Sequence, residues 1–250
     1  MTSLRGLLLS LLVCGCGAEC IPLDTSCDGD DARVCDYHET WVTYAHCGSL
    51  GAACGRVANH WGCMPTQPRE PLYDPLEGVT ATSTVVAVWA ALEDYYGTTH
   101  HPRSDLPVYM EVVVPKTAAS TVGRDIYIPF EVGRGTVYWS RWDEVEAAVH
   151  EHVHVVQWRK TMFPWEYVLS ADNRLHYEMQ ANLGSLVMEY WQRGKADTAR
   201  LAAEARGYGA RETDVRFLRR VYEVALDSVE LGVMFNEPTE VAVQCLRNLN

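Results

Sequence analysis

The chain has 250 residues, 48% of them hydrophobic and 22% charged, with a formal net charge of −12. Those proportions belong to a folded globular protein and exclude a disordered tail or a fibre. The acidic balance leaves no basic stripe to neutralise phosphates, which argues against a nucleic-acid partner.

The first feature in chain order is an export signal. Arg5 precedes an apolar run, Leu7–Val13, followed by Cys14-Gly15-Cys16-Gly17. The run is too short to span a bilayer, which takes about 20 residues. One positive charge, a short apolar core and small residues read as a signal peptide over residues 1–15. Val13-Cys14-Gly15-Cys16 resembles a bacterial lipobox with Gly15 before the cut. That resemblance implies that Cys16 becomes a lipidated N-terminus, anchoring the protein to the outer membrane or cell surface. A soluble secreted or periplasmic protein, cut nearby, is the alternative.

Eight of the nine cysteines precede residue 64, which points to an oxidising compartment. Setting aside Cys14 and Cys16 leaves Cys20, Cys27, Cys35, Cys47, Cys54 and Cys63, an even set over residues 16–64. Six cysteines allow 15 pairings, and spacing does not choose among them. The segment is rich in Gly and Asp and poor in large aliphatics, so cross-links must supply much of its stability. Zinc is the rival account, but there is no C-x2-C pair. The spacing resembles small six-cysteine modules of bacterial surface lipoproteins, which implies a spacer or adhesion role. Cys245 stands alone and reads as a buried free thiol in a terminal helix.

Pro65, Pro68, Pro71 and Pro75 mark a linker at about 65–78. The remainder, 79–250, is long enough for a core of its own. Val85, Val88, Trp89, Leu92 and Tyr96 recur at helical spacing and stop at Gly97, which predicts a helix over Thr84–Tyr96. Val108–Val114, Ile126–Phe130 and Thr136–Trp139 read as short strands. Helices are expected at about 143–160, with Asp143 as N-cap, and at 172–193, 195–206, 213–228 and 238–248. The pattern predicts an α+β fold: a mainly helical domain with a small sheet, behind a disulfide-rich module.

The chemistry sits in the first of these late helices. His150-Glu151-His152-Val153-His154 satisfies H-E-x-x-H. Residues four apart lie on one helix face, so His150 and His154 can present two imidazoles to one ion. Glu151, one residue on, is placed to meet a water on that ion. A catalytic zinc keeps three protein ligands and one open position. Glu178, 24 residues after His154, offers the third ligand, with Asn182 one turn beyond. His152 points to another face and reads as structural; His176 reads as a surface or packing residue, and the His100-His101 pair as a loop. The tryptophans around the motif read as core.

HEHVH followed by a helix carrying Glu178 and Asn182 resembles the gluzincin branch of zinc metallopeptidases, over about residues 140–185. The resemblance implies Zn2+ held by His150, His154 and Glu178, with Glu151 as general base and Asn182 accepting from a ligand imidazole. The metzincin pattern is excluded because Gln157 and Lys160 occupy its glycine and third-histidine positions. Tyr167, Tyr177 and Tyr190 are candidates for oxyanion support, and the 136–139 segment for pairing with an extended peptide. The expectation is a surface-anchored zinc hydrolase acting on a peptide or protein substrate. Its rivals are an inactive metallopeptidase-like binding or adhesion lipoprotein, and a structural exported protein with a fortuitous motif. Oligomeric state is not legible.

Overall fold

The computed structural model describes residues 20–69, 81–111, 117–160 and 163–249. The expected signal segment, Cys16 and most of the expected Pro-rich linker lie outside them. Among the described residues no helix is long and apolar enough to cross a membrane.

The fold is α+β, as expected. Strands β1 (Thr25–Asp28), β2 (Asp31–Cys35) and β3 (Trp41–His46) form an antiparallel meander. Strands β4 (Ala52–Val57) and β5 (His60–Pro65) form a separate hairpin. Three disulfides sew these strands together: Cys20–Cys35, Cys27–Cys54 and Cys47–Cys63. All six expected cysteines are used, and three disulfides are the mark of an exported or extracellular protein. Cys245 is free and half-buried.

Helix α1 (Thr82–Tyr96) buries all five residues that its periodicity singled out and ends on Gly97, whose φ is 60°. It leads into a small mixed sheet of β6 (Thr99–Pro102), β7 (Ser120–Val122) and β8 (Asp125–Ile128). The strand order is β6-β8-β7, with β6 parallel and β7 antiparallel to β8. Only β8 matches a predicted strand. His100 and His101, read as loop, form β6; polar side chains at a sheet edge carry no alternating signal. Val108 opens a short helix, α2 (Val108–Glu111), instead of a strand, because Pro107 pre-sets the helical φ and its carbonyl accepts from Met110 N at 2.8 Å. Residues 112–114 lie outside the described set. The 136–139 segment is also no strand. It folds as a turn, Thr136 N donating to Trp139 O at 2.6 Å. Gly133 and Gly135 ahead of it take positive φ, 84° and 65°, and both amides donate to the buried Glu144 carboxylate.

Helices then follow as α3 (Arg141–Lys160), α4 (Phe163–Leu169), α5 (Ala171–Arg193), α6 (Thr198–Glu204), α7 (Glu212–Glu230) and α8 (Glu237–Leu249). The short α4 was not expected. Asp143 is not the N-cap of α3: Ser140 caps it, and the two residues bond reciprocally, Ser140 N to Asp143 Oδ2 at 2.7 Å and Asp143 N to Ser140 Oγ at 3.1 Å.

Helix α5 is the spine. One side (Met179, Leu183, Leu186) packs with Ala32, Val34, Tyr44 and Cys63 of the disulfide-linked strands and with Leu218, Val221 and Tyr222 of α7. The other side (Met188, Trp191) joins α1, α3, α8 and the small sheet. The cystine segment therefore shares a core with the helices. Gly184 sets how near α5 can come to α3 and α8: a Cβ there would lie 2.9 Å from Val149 Cγ1 and 3.0 Å from Asn236 Nδ2. Gly184→Ala should cost about 1–3 kcal/mol of stability by overpacking. A thermal unfolding scan checks this, and an unchanged midpoint would mean that α3 can yield.

A charged knot ties α3, α5 and α6. Arg200 lies 2.6 Å from Glu204, 2.9 Å from Glu189 and 3.5 Å from Glu146. Three carboxylates share one guanidinium. Burial, opposed by Arg200 and aided by Glu189, pushes Glu146 up to about 8. A raised carboxylate adds full stability below its unfolded pKa, near 4.5, and that stability is lost as pH rises through about 8. Glu146→Gln should therefore gain on the parent by more than about 1 kcal/mol between pH 5 and pH 9, since one pKa unit is worth about that much. Unfolding curves at the two pH values check the sign.

Candidate metal centre

Residues 150 and 154 stand one turn apart on α3, and α5 brings the carboxylate to meet them. His150 Nε2 lies 3.2 Å from Glu178 Oε2, His154 Nε2 lies 3.5 Å from Glu178 Oε1, and the two Nε2 atoms are 3.2 Å apart. The three side chains form a group able to hold a metal ion, each offering one ligand atom within 4.8 Å of the others. Ligand bonds of about 2.0–2.1 Å at tetrahedral angles set ligand atoms roughly 3.3–3.4 Å apart, so the spacing suits a small cation.

The donor chemistry agrees. Glu178 is 1% exposed. Its Oε1 accepts from the Tyr167 hydroxyl at 2.5 Å. Its Oε2 is buried without a well-formed hydrogen bond, 3.2 Å from His150 Nε2. A buried carboxylate oxygen with no donor needs a positive partner. Burial alone would raise Glu178, but His154 and His150 outweigh it and hold the carboxyl well below the usual range. Burial likewise lowers His154, and the Glu178 charge overrides it, pushing the imidazole up to about 9.

Glu151 is buried one residue on, its Oε2 held by Thr121 Oγ1 of β7 at 2.7 Å. Glu151, His154, Glu178, Thr121, Met110, Tyr167 and Tyr208 line one small cavity of about 20 Å³. That is room for about one water-sized sphere. A larger pocket of about 340 Å³ lies between the β2–β3 turn and the starts of α5 and α7, and contains none of the three candidate ligands.

Other candidates fall elsewhere. His152 is fully buried and turned away: Nδ1 donates to Ala148 O at 2.6 Å, and Nε2 lies 2.9 Å from Thr98 Oγ1. Asn182 is buried a turn beyond Glu178, beside the Tyr222 hydroxyl. The Nδ1 of His154 instead meets Gln157 Oε1 at 2.7 Å. Of the three tyrosines considered for the oxyanion, Tyr167 spends its proton on Glu178, Tyr177 donates to Glu166, and Tyr190 packs beside the α5–α7 core. Tyr208, just past α6, lines the cavity instead, and nothing local in the sequence marks it. Thr121 was equally hidden. Gln157 had a signal, being three residues beyond His154 on the same helix.

Removing the Tyr167 hydroxyl frees Glu178 Oε1. Tyr167→Phe should weaken zinc binding by about 10-fold, the lower end for a residue that orients a ligand. Competition with a fluorescent chelator measures it, and a parent-like constant would mean the hydroxyl does not hold the carboxylate. Compared with protein-family models, curated proteins and solved structures, the chain matches none.

Proposed function

We propose that the chain is a zinc-dependent hydrolase, acting on peptide bonds. The observation that carries this reading is the convergence of His150, His154 and Glu178, with His154 and Glu178 lining one cavity together with the buried Glu151. Two imidazoles and one carboxylate are a ligand set that suits zinc. A zinc ion held there supplies Lewis acidity toward a carbonyl and lowers the pKa of water. The chain's own groups do the rest. Glu151 takes the proton of the attacking water and passes it to the leaving amine. Thr121 keeps the Glu151 carboxylate aimed at the cavity. Tyr208 is the hydroxyl available to the carbonyl oxygen as its charge grows.

Anchoring through a lipid on Cys16 belongs to the same reading and places the enzyme on the cell surface or outer membrane. A second reading, an inactive metal-binding surface protein, draws support from the cavity itself: at about 20 Å³, with Met110 and Tyr208 in its wall, it has no room for a peptide.

The exported chain should bind about one equivalent of zinc by elemental analysis and lose it in His154→Ala. Glu151→Gln should retain the zinc while peptide hydrolysis falls by a factor of about 100 or more. A Glu151→Gln protein as active as the parent removes the mechanism; a zinc-loaded parent that cleaves no peptide favours the binding reading.

A further inference from the structure

His154 offers a lone pair at Nε2 only while its ring proton stays on Nδ1. That nitrogen lies 2.7 Å from Gln157 Oε1. A glutamine amide can turn either its oxygen or its NH2 toward a ring, and the two choices select opposite tautomers. Here the choice is made from the far side. Gln157 Nε2 lies 3.1 Å from the main-chain oxygen of Tyr177, which can only accept. A turned amide would set two carbonyl oxygens against each other and point its NH2 at His154. The same Nε2 also donates to Gln180 Oε1 at 3.1 Å, and the Gln180 amide donates in turn to His176 Nε2 at 3.0 Å. Each proton points away from the metal centre and toward α5, so the chain of bonds is consistent in one direction only.

We propose that Gln157 is a positioning residue for the metal centre. Clamped by the Tyr177 carbonyl and the Gln180 side chain, it holds the Nδ1 proton of His154 and so keeps Nε2 as the ligand atom. Gln157 touches no reacting atom and works through His154. The proposal rests on the metal reading of the preceding subsection.

The test compares the parent with Gln157→Met, which fills the space without hydrogen bonds, and Gln157→Glu, which restores an acceptor. Zinc dissociation constants come from chelator competition; 15N NMR of the zinc-free chain follows exchange of the His154 Nδ1 proton. Gln157→Met should bind zinc about 10- to 100-fold more weakly and exchange the ring proton fast; Gln157→Glu keeps the Nδ1 acceptor but sets its other oxygen against the Tyr177 carbonyl, so it should restore slow proton exchange and only part of the affinity. A folded Gln157→Met with parent-like affinity and parent-like exchange overturns the proposal, as does one that only melts earlier. Should that variant fail to fold, Gln157→Asn withdraws the acceptor by one methylene, and parent-like values there overturn it equally. If the parent binds no zinc, the metal reading fails by itself, and proton exchange still decides whether Gln157 holds Nδ1.

Discussion

The buried Glu178 carboxylate between two imidazoles is the interaction on which the other features depend. Removing a carboxylate from water costs several kcal/mol unless positive charge or donors meet it. Tyr167 satisfies one oxygen, and the second faces His150. The arrangement needs α3 and α5 in close contact, and Gly184 is one place where α5 comes near α3, with room for no Cβ against Val149.

Around this centre the helices keep their ionisable groups in separate settings. Glu189 and Glu146 are buried but share Arg200 with Glu204. His152 sits two residues from both His150 and His154 yet is lowered to about 4, because burial between Trp89 and Tyr96 disfavours its charge. Neighbouring histidines on one helix therefore differ in chemistry by which face they occupy, since residues two apart point in divergent directions.

The site was legible where its geometry is local. A 3.6-residue period places His150 over His154; Glu178 could be named only as a carboxylate on a following helix, and its approach to the two histidines is made by the packing of α5 on α3 beyond the unexpected α4. The buried face of α1 was likewise legible from its apolar period, and the pool of six bridged cysteines from their number. What could not be read is made by distant contacts. Tyr208 and Thr121 reach the cavity from a four-residue 3-10 helix and a three-residue strand with no pattern of their own. The β-branched and aromatic residues of 136–139 suggested a strand, but positive-φ glycines and the Glu144 clamp bend the chain there. Asn182 was expected to steady an imidazole; at His154 Nδ1 that place is taken by Gln157, a residue on the ligands' own helix.

The stitched hairpins cover one flank of the spine helix. Those sulfurs pin the hairpins against that flank, so reducing them loosens one of the faces against which the helix bearing Glu178 is packed.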